Sequence, residues 1–373
     1  MFLWLPRALA MQFARDVVGL LRQSVNITKL EDPSTVTLRG LRLESLPLWI
    51  ARMLLTEKRL RDVKHVVATD CSGITDALVE LLCANAPGLI SLRVVNCGST
   101  LRCTVDLPAA LEELVLVGVA IDDDAATAIC ARCTALRVLR LNHCTELRSP
   151  RLGAPRLADV SLVGTGVDDA AVQALCFASP ELRALDLSEC DGLRAPTPST
   201  PGLESLVLEQ CTRLSERVLH GLERAPALTR LSLSYSRIAR LCAAADAPWP
   251  PFLRELRLAG CGAAVDDAAV ARLCERCTAL ETLVLSGCTS LVAPPLRGAS
   301  LTALELRNCE SLTTEALAAA LEACPQLRRL DIVGCESVAS LRAPPPLLER
   351  LTLDADPPLL ALFYSAAARA EAS

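Results

Sequence analysis

Two pairs, Cys130-Ala-Arg-Cys133 and Cys274-Glu-Arg-Cys277, have the spacing at which thiolates grip zinc. The doublets Asp168-Asp169 and Asp266-Asp267 have the composition of a metal or acid–base dyad, and His65, His143 and His220 are candidate bases. Whether any of them performs that chemistry depends on what the surrounding elements bring together.

Those elements form a repeat. An L-x-x-L-x-L pattern starts at Leu89, Leu111, Leu136, Leu157, Leu182, Leu203, Leu228, Leu253, Leu280, Leu301, Leu327 and Leu348, with a looser first member at Val63. Alternating apolar residues within each pattern predict a short strand with one buried face, after which the chain turns away and returns. Two kinds of return alternate. Those of the repeats at Val63, Leu111, Leu157, Leu203, Leu253 and Leu301 carry a helical segment such as VDDAAVQALCFAS, whereas those at Leu136, Leu182, Leu280 and Leu327 carry prolines, as in LRAPTPSTPG. Proline fixes φ and removes a donor, so the proline-bearing returns are expected to be extended. The unit is then a thick and a thin repeat together.

Alignment reassigns the reactive residues. Thr75, Asp122, Asp168, Asp266 and Thr313 share one column before the helical stripe, with Ser215 one place out, so these oxygens are expected to cap helices and the acid doublets need no metal. Of the 18 cysteines, Cys71, Cys97, Cys144, Cys190, Cys211, Cys261, Cys288, Cys309 and Cys335 close the strand motif, where other repeats have Val119, Thr165, Ser236 and Asp356. A small side chain with a weak donor, turned inward onto backbone carbonyls, suits that place. Cys83, Cys130, Cys176 and Cys274 share a column with Leu222 and Leu321, and Cys133, Cys277 and Cys324 share one with Ala86, Ser179 and Ala225. Leucine and alanine do not bind zinc. The two Cys-x-x-Cys pairs also lie six repeats apart, about 30 Å at the spacing of neighbouring strands, which excludes a shared ion. Only Cys103 and Cys242 fall outside these columns.

The pattern resembles leucine-rich repeats of the cysteine-containing class found in F-box/leucine-rich-repeat proteins, over roughly residues 63 to 356. The resemblance implies an α/β fold, a right-handed solenoid (horseshoe) of about 13 repeats with a parallel sheet on its concave side. The expected layout is a helical N-terminal cap over 1–62, the solenoid over 63–358, and a capping helix or tail over 359–373. Within the first segment, helices are expected over 8–24 and 45–60, around a strand-like STVTLRG. The stretch SLPLWIARMLLTEKRLRDV, from Ser45, looks like the first half of an F-box and lacks the second half, so the N-terminus is more similar to F-box-lacking relatives of the antagonist-of-mitotic-exit and Rad-seven types. What the resemblance implies for function is a substrate-recognition subunit of an SCF-like ubiquitin ligase, its N-terminal cap docking an adaptor. The alternative is a structural subunit of a large ciliary, mitochondrial or cytoskeletal assembly.

Charge and composition agree with a non-enzymatic protein binder. Net charge is -5, and residues 1–62 carry ten basic and six acidic side chains, so the rest of the chain is acidic and unsuited to nucleic acid. No apolar run is long enough for a membrane span, and no P-loop, Gly-x-Ser-x-Gly or His-Glu-x-x-His motif occurs. No catalytic residue, cofactor or metal is expected. Many buried thiols imply a reducing compartment, cytoplasm or nucleus, with mitochondrial import through the Arg-containing start a minor possibility. The partner is expected to be a protein lying on the concave face. The residues expected to meet it are Arg140, Asn142, His143, Asp186, Glu189, Glu209, Tyr235, Arg257, Glu305, Arg307 and Asn308, with Trp249 in an irregular loop, DAPWPPF, that either packs or binds.

Overall fold

A computed structural model describes residues 35–39, 62–71, 74–97, 101–103, 106–215, 217–222, 225–236, 249–297, 300–338 and 346–353. The chain divides into two compact units, residues 1–167 with 177–182, and residues 168–176 with 183–373. The helices expected over 8–24, 45–60 and beyond 359 lie outside the described residues. The strand-like STVTLRG does contain a strand, β1 (Thr35–Arg39).

In the first unit β1 is followed by β2 (His65–Thr69), β3 (Ser91–Val95), β4 (Glu113–Val117), β5 (Val138–Arg140) and β6 (Asp159–Ser161). Neighbours pair in chain order, all parallel, with His65, Ser91, Glu113, Val138 and Asp159 in one register row. The second unit repeats the arrangement with β7 (Ala184–Asp186), β8 (Ser205–Val207), β9 (Arg230–Ser232), β10 (Glu255–Arg257), β11 (Thr282–Val284), β12 (Ala303–Glu305), β13 (Arg329–Asp331) and β14 (Arg350–Thr352). Every strand from β2 onward belongs to one of the thirteen sequence repeats. The motif leucines point inward from each strand: Leu114, Leu116, Leu139 and Leu141 are at most 1% exposed, as are Leu231, Leu233, Leu304 and Leu306. Each such leucine contributes about 2 kcal/mol of burial, which is why a strand of only three residues holds its place.

Thick repeats carry the helices: α1 (Asp76–Asn85), α2 (Asp123–Arg132), α3 (Asp169–Ala178), α4 (Val218–Leu222), α5 (Asp267–Arg276) and α6 (Thr314–Glu322). Their buried residues recur at the same places, Ala125, Ala126, Ile129 and Cys130 in α2 matching Ala269, Val270, Leu273 and Cys274 in α5. In α4 Gly221 lies so close to the preceding thin repeat that a Cβ there would come within 2.7 Å of the Pro196 carbonyl. The thin returns over 145–156, 191–202 and 289–297 contain no helix, as their prolines dictate. Among the described residues no helix is long and apolar enough to cross a membrane.

The acid doublets join thick to thin. Asp122, Asp168 and Asp266 each accept from the amide three residues on at 2.8 Å, and Thr313 does so at 3.2 Å. Thr75, expected to do the same, makes no side-chain cap. The second acid reaches across instead. Asp123 accepts from the amides of Arg148 and Ser149, Asp169 from Arg194 and Ala195, and Asp267 from Val292 and Ala293, at 2.8 to 3.1 Å. Asp76 likewise takes the amide of Cys103 at 2.7 Å. The hydroxyl of Ser215 donates to the Arg194 carbonyl at 3.1 Å.

Candidate protein-binding face

The cysteines are structural. Seventeen of them are buried among the described residues. Seven of the first column donate to the carbonyl of the last motif leucine, or its equivalent, one repeat back, as Cys97 does to Ala68 at 3.5 Å, Cys211 to Leu187 at 3.3 Å and Cys309 to Leu285 at 3.3 Å, while Cys71 and Cys190 donate to Thr69 and Ser188 two residues back. Ser236 replaces the thiol and bonds Leu208 at 2.6 Å in the same manner. Cys133 and Cys277, the second halves of the two Cys-x-x-Cys pairs, donate to the carbonyls of Pro108 and Pro250 at 3.4 Å. Burial pushes Cys133 and Cys144 up to about 11, and Cys211 and Cys277 up to about 12, so these thiols stay protonated and unreactive at neutral pH. Among the described residues no group of three or more His, Cys, Asp and Glu could hold a metal ion.

Surface chemistry is carried instead by the outward positions of the strands, each unit presenting its own face. On the first, Arg140 bonds Asp159 at 2.9 Å, and Arg93 and the buried Ser91 both bond Glu113, at 2.5 and 2.7 Å. Partial burial alone would raise the Glu113 pKa, but the hydrogen bonds from Ser91 and Arg93 and the charges of Arg93 and Arg140 outweigh it and hold the carboxyl below its usual range. Asn142 is a bridge rather than a free contact, its Oδ1 accepting from Ser161 Oγ at 2.8 Å and the Val163 amide at 3.2 Å. Half-exposed Val95, Val117, Val138 and Val163 lie between these polar groups.

The second unit's face is richer in charge. Asp186 folds back on the amide and hydroxyl of Ser188 at 3.0 and 2.7 Å. Glu209 accepts from Ser232 at 2.5 Å, Arg257 donates to Glu255 at 2.6 Å, and Arg307 holds Asp331 through Nη2 at 2.5 Å. The hydrogen bond it donates to Glu255 lifts Arg257 further above its already high pKa against the opposing effect of burial, with help from the charges of Glu255, Glu305 and Glu209. Between Glu209, Arg230, Ser232, Glu255 and Arg257 lies a shallow depression of about 230 Å³. A second, of about 140 Å³, lies between Glu305, Arg307, Arg329, Asp331, Arg350 and Thr352.

His143, Glu189, Tyr235 and Asn308 occupy one further column, immediately after the strand and its last outward residue, and all four have positive φ of 54 to 60°. Asp70, Asn96 and Gln210 share it, and Gly118, Gly164, Gly260, Gly287 and Gly334 fill it elsewhere, so the left-handed conformation belongs to the turn and not to the residue type. At three of these glycines the side chain one repeat earlier covers the turn, whereas Gly118, which follows Asn96, is uncovered. A Cβ on Gly164 would meet the His143 ring at 2.3 Å, one on Gly260 the Tyr235 ring at 2.3 Å, and one on Gly334 the Asn308 side chain at 2.0 Å. Tyr235 is thus held flat against the next turn while remaining 60% exposed.

Trp249 requires correction: it is 6% exposed and packs inside the second unit, whereas Phe252 beside it is 62% exposed. The large apolar area of the indole favours its burial. The outward residues that open each strand, Glu113, Asp159, Arg230, Glu255, Arg329 and Arg350, were not among the expected contacts. The signal for them was present, since the two positions between the first leucines of the motif are as free to face outward as the one between the last two.

No protein-family model matches the sequence, and no curated protein matches it. Solved structures do. A chain of the yeast complex of Rad7 and Elc1 shares 15% identity over 94% of this chain and 89% of its own length, with a TM-score of 0.51. The fold is that of leucine-rich-repeat proteins. An internalin, InlF, of Listeria monocytogenes is 15% identical over 91% of this chain and 95% of its own, with a TM-score of 0.49. TLR13 from a complex with ssRNA13 is 16% identical over 79% of this chain and 57% of its own, with a TM-score of 0.43.

Proposed function

We propose that this leucine-rich-repeat chain is a protein-binding module whose partner lies on the outward strand face of the second unit. The observation that carries the reading is the set of charged groups fixed there by neighbours: Glu209 by Ser232, Arg257 by Glu255 and Arg307 by Asp331. Side chains already ordered lose little freedom on binding, which is what a recognition surface requires. The finer reading is a substrate-recognition subunit of a ubiquitin ligase, its adaptor docking on residues 1–62. It rests on the Leu46-Pro47 motif of that segment, and the similarity of fold to a chain from the complex of Rad7 with Elc1 supports it.

Deleting residues 1–62 would remove β1, which pairs with β2, so point variants are the cleaner probe. Affinity purification of the full chain, of Leu46→Ala with Pro47→Ala, and of Tyr235→Ala with Arg257→Ala should separate two sets of partners. The first pair should release a cullin-type adaptor and keep the substrate; the second should do the reverse. If no adaptor accompanies the unaltered chain and both variants keep the same stoichiometric partners, the ligase reading falls and a structural subunit of a larger assembly takes its place.

A further inference from the structure

On the outward faces of the two units, arginines come with carboxylates. Arg93 has Glu113, Arg140 has Asp159, Arg257 has Glu255 and Arg307 has Asp331. Arg230, between Ser205 and Glu255 in register, breaks the rule singly, and Arg329 and Arg350 break it as a pair. These last two are exposed, they open strands β13 and β14 as direct register partners, and no ion pair or hydrogen bond joins either to a carboxylate among the described residues. Neighbouring strands lie about 4.8 Å apart, so the two guanidinium stems rise side by side with like charge, an arrangement that opposes folding. The acid nearest in register, Asp331, is engaged by Arg307 at 2.5 Å, and Glu305 adds its field to Arg257 and Arg307. The adjoining member of the same row is Ala303, a small buried residue that leaves space beside Arg329. These residues line the depression of about 140 Å³, and Thr352, two residues along β14 on the same side as Arg350, brings a hydroxyl to its wall.

We infer that Arg329, Arg350 and Thr352 form a receptor for a phosphorylated side chain of the protein partner. Two guanidinium groups on adjacent strands can each present a fork of N–H donors, and a phosphomonoester carries close to two negative charges with three acceptor oxygens, so it neutralises both arginines at once. A single carboxylate would leave one of the two positive charges uncompensated. The inference rests on the proposal that this face binds a protein, and it names the chemistry of one contact.

The test uses the full chain and an immobilised degenerate peptide library with a central phosphoserine, beside the same library unphosphorylated. Phosphorylation should raise retention about tenfold or more, the scale of two charge-assisted contacts. The double variant Arg329→Ala with Arg350→Ala should abolish the preference. Arg350→Glu should abolish it too while raising the melting temperature, because it turns a repulsive pair into an attractive one; this shows that lost binding is not lost folding. Inorganic phosphate should stabilise the unaltered chain against heat and leave Arg350→Glu unmoved. Equal retention of both libraries, or an undiminished preference in the double variant, overturns the inference. So does a chain that responds to inorganic phosphate or to vesicles of anionic phospholipid but not to the phosphorylated library. Partners that survive phosphatase treatment of a lysate, yet are lost with Tyr235→Ala and Arg257→Ala, would refute the phosphate receptor and leave the protein-binding face standing.

Discussion

Asp266 and Asp267 are adjacent and chemically identical, yet they act on different parts of the chain. Asp266 takes one amide of its own helix; Asp267 takes two amides of the following thin repeat. Asp266→Ala should therefore cost about 1 kcal/mol, the usual worth of a cap. Asp267→Ala should cost about 2 kcal/mol, since two charge-assisted bonds vanish and two backbone donors are left to water. Urea denaturation of the two variants checks the order, and equal midpoints would contradict it. The cap was legible in the sequence because its partner lies three residues away. The clamp was not, because its partners are main-chain amides about 25 residues on, beneath side chains as different as Arg148, Arg194 and Val292. The thiols give a second prediction at this scale. Burial raises Cys211 and Cys277 to about 12, whereas an unfolded thiol titrates near 8.5. Above about pH 8.5 the unfolded chain has lost protons that the folded one keeps, so the stability these thiols contribute is complete below that pH and disappears as pH rises toward 12. Thermal melts from pH 7 to 10.5 should fall above pH 9, and Cys277→Ala, in a column that elsewhere holds Ala86 and Ala225, should reduce the slope.

At the scale of the element, the turn after each strand sets the limits of what can be changed. Its left-handed residue recurs in all twelve repeats from Asp70 to Gly334, and the mixture of residue types there hides it: Asp, Asn, His, Glu, Gln and Tyr stand where glycine would be easiest. The five glycines with Asn96 and Asn308 were the readable trace, since these are the residues that adopt positive φ at least cost. Gly260→Ala puts a methyl into a turn with φ of 68° and into the Tyr235 ring. We expect about 2 kcal/mol of destabilisation, of which about 1 kcal/mol is backbone strain that no change at Tyr235 can relieve. Combining it with Tyr235→Ala should recover the remainder, a coupling that a double-mutant cycle measures directly. Gly118→Ala is the control: its φ is the same, 68°, and nothing lies within 4 Å of the added methyl, so only the strain should appear.

For the molecule as a whole, repetition decides how far any such change is felt. The strand order and the inward leucine rows could be read from the sequence because each repeat states them again, and thirteen copies average out the exceptions. The proposed binding face could be read only in part, for the opposite reason: its information lies where the repeats differ, and which outward arginine meets which acid depends on register between strands. A chain whose repeats contact only their neighbours should also unfold piecewise. Asp267→Ala removes the bonds that tie α5 to the return after β11, so hydrogen exchange followed by mass spectrometry should quicken in peptides covering residues 253–297. Peptides covering β3 to β5, residues 91–140, should keep their protection, and the urea m-value should fall as the transition broadens. If exchange instead accelerated equally along the chain, the repeats would be unfolding as one cooperative body, and the amide clamps would have to be counted as stabilising all of it and not the thick and thin pair they join.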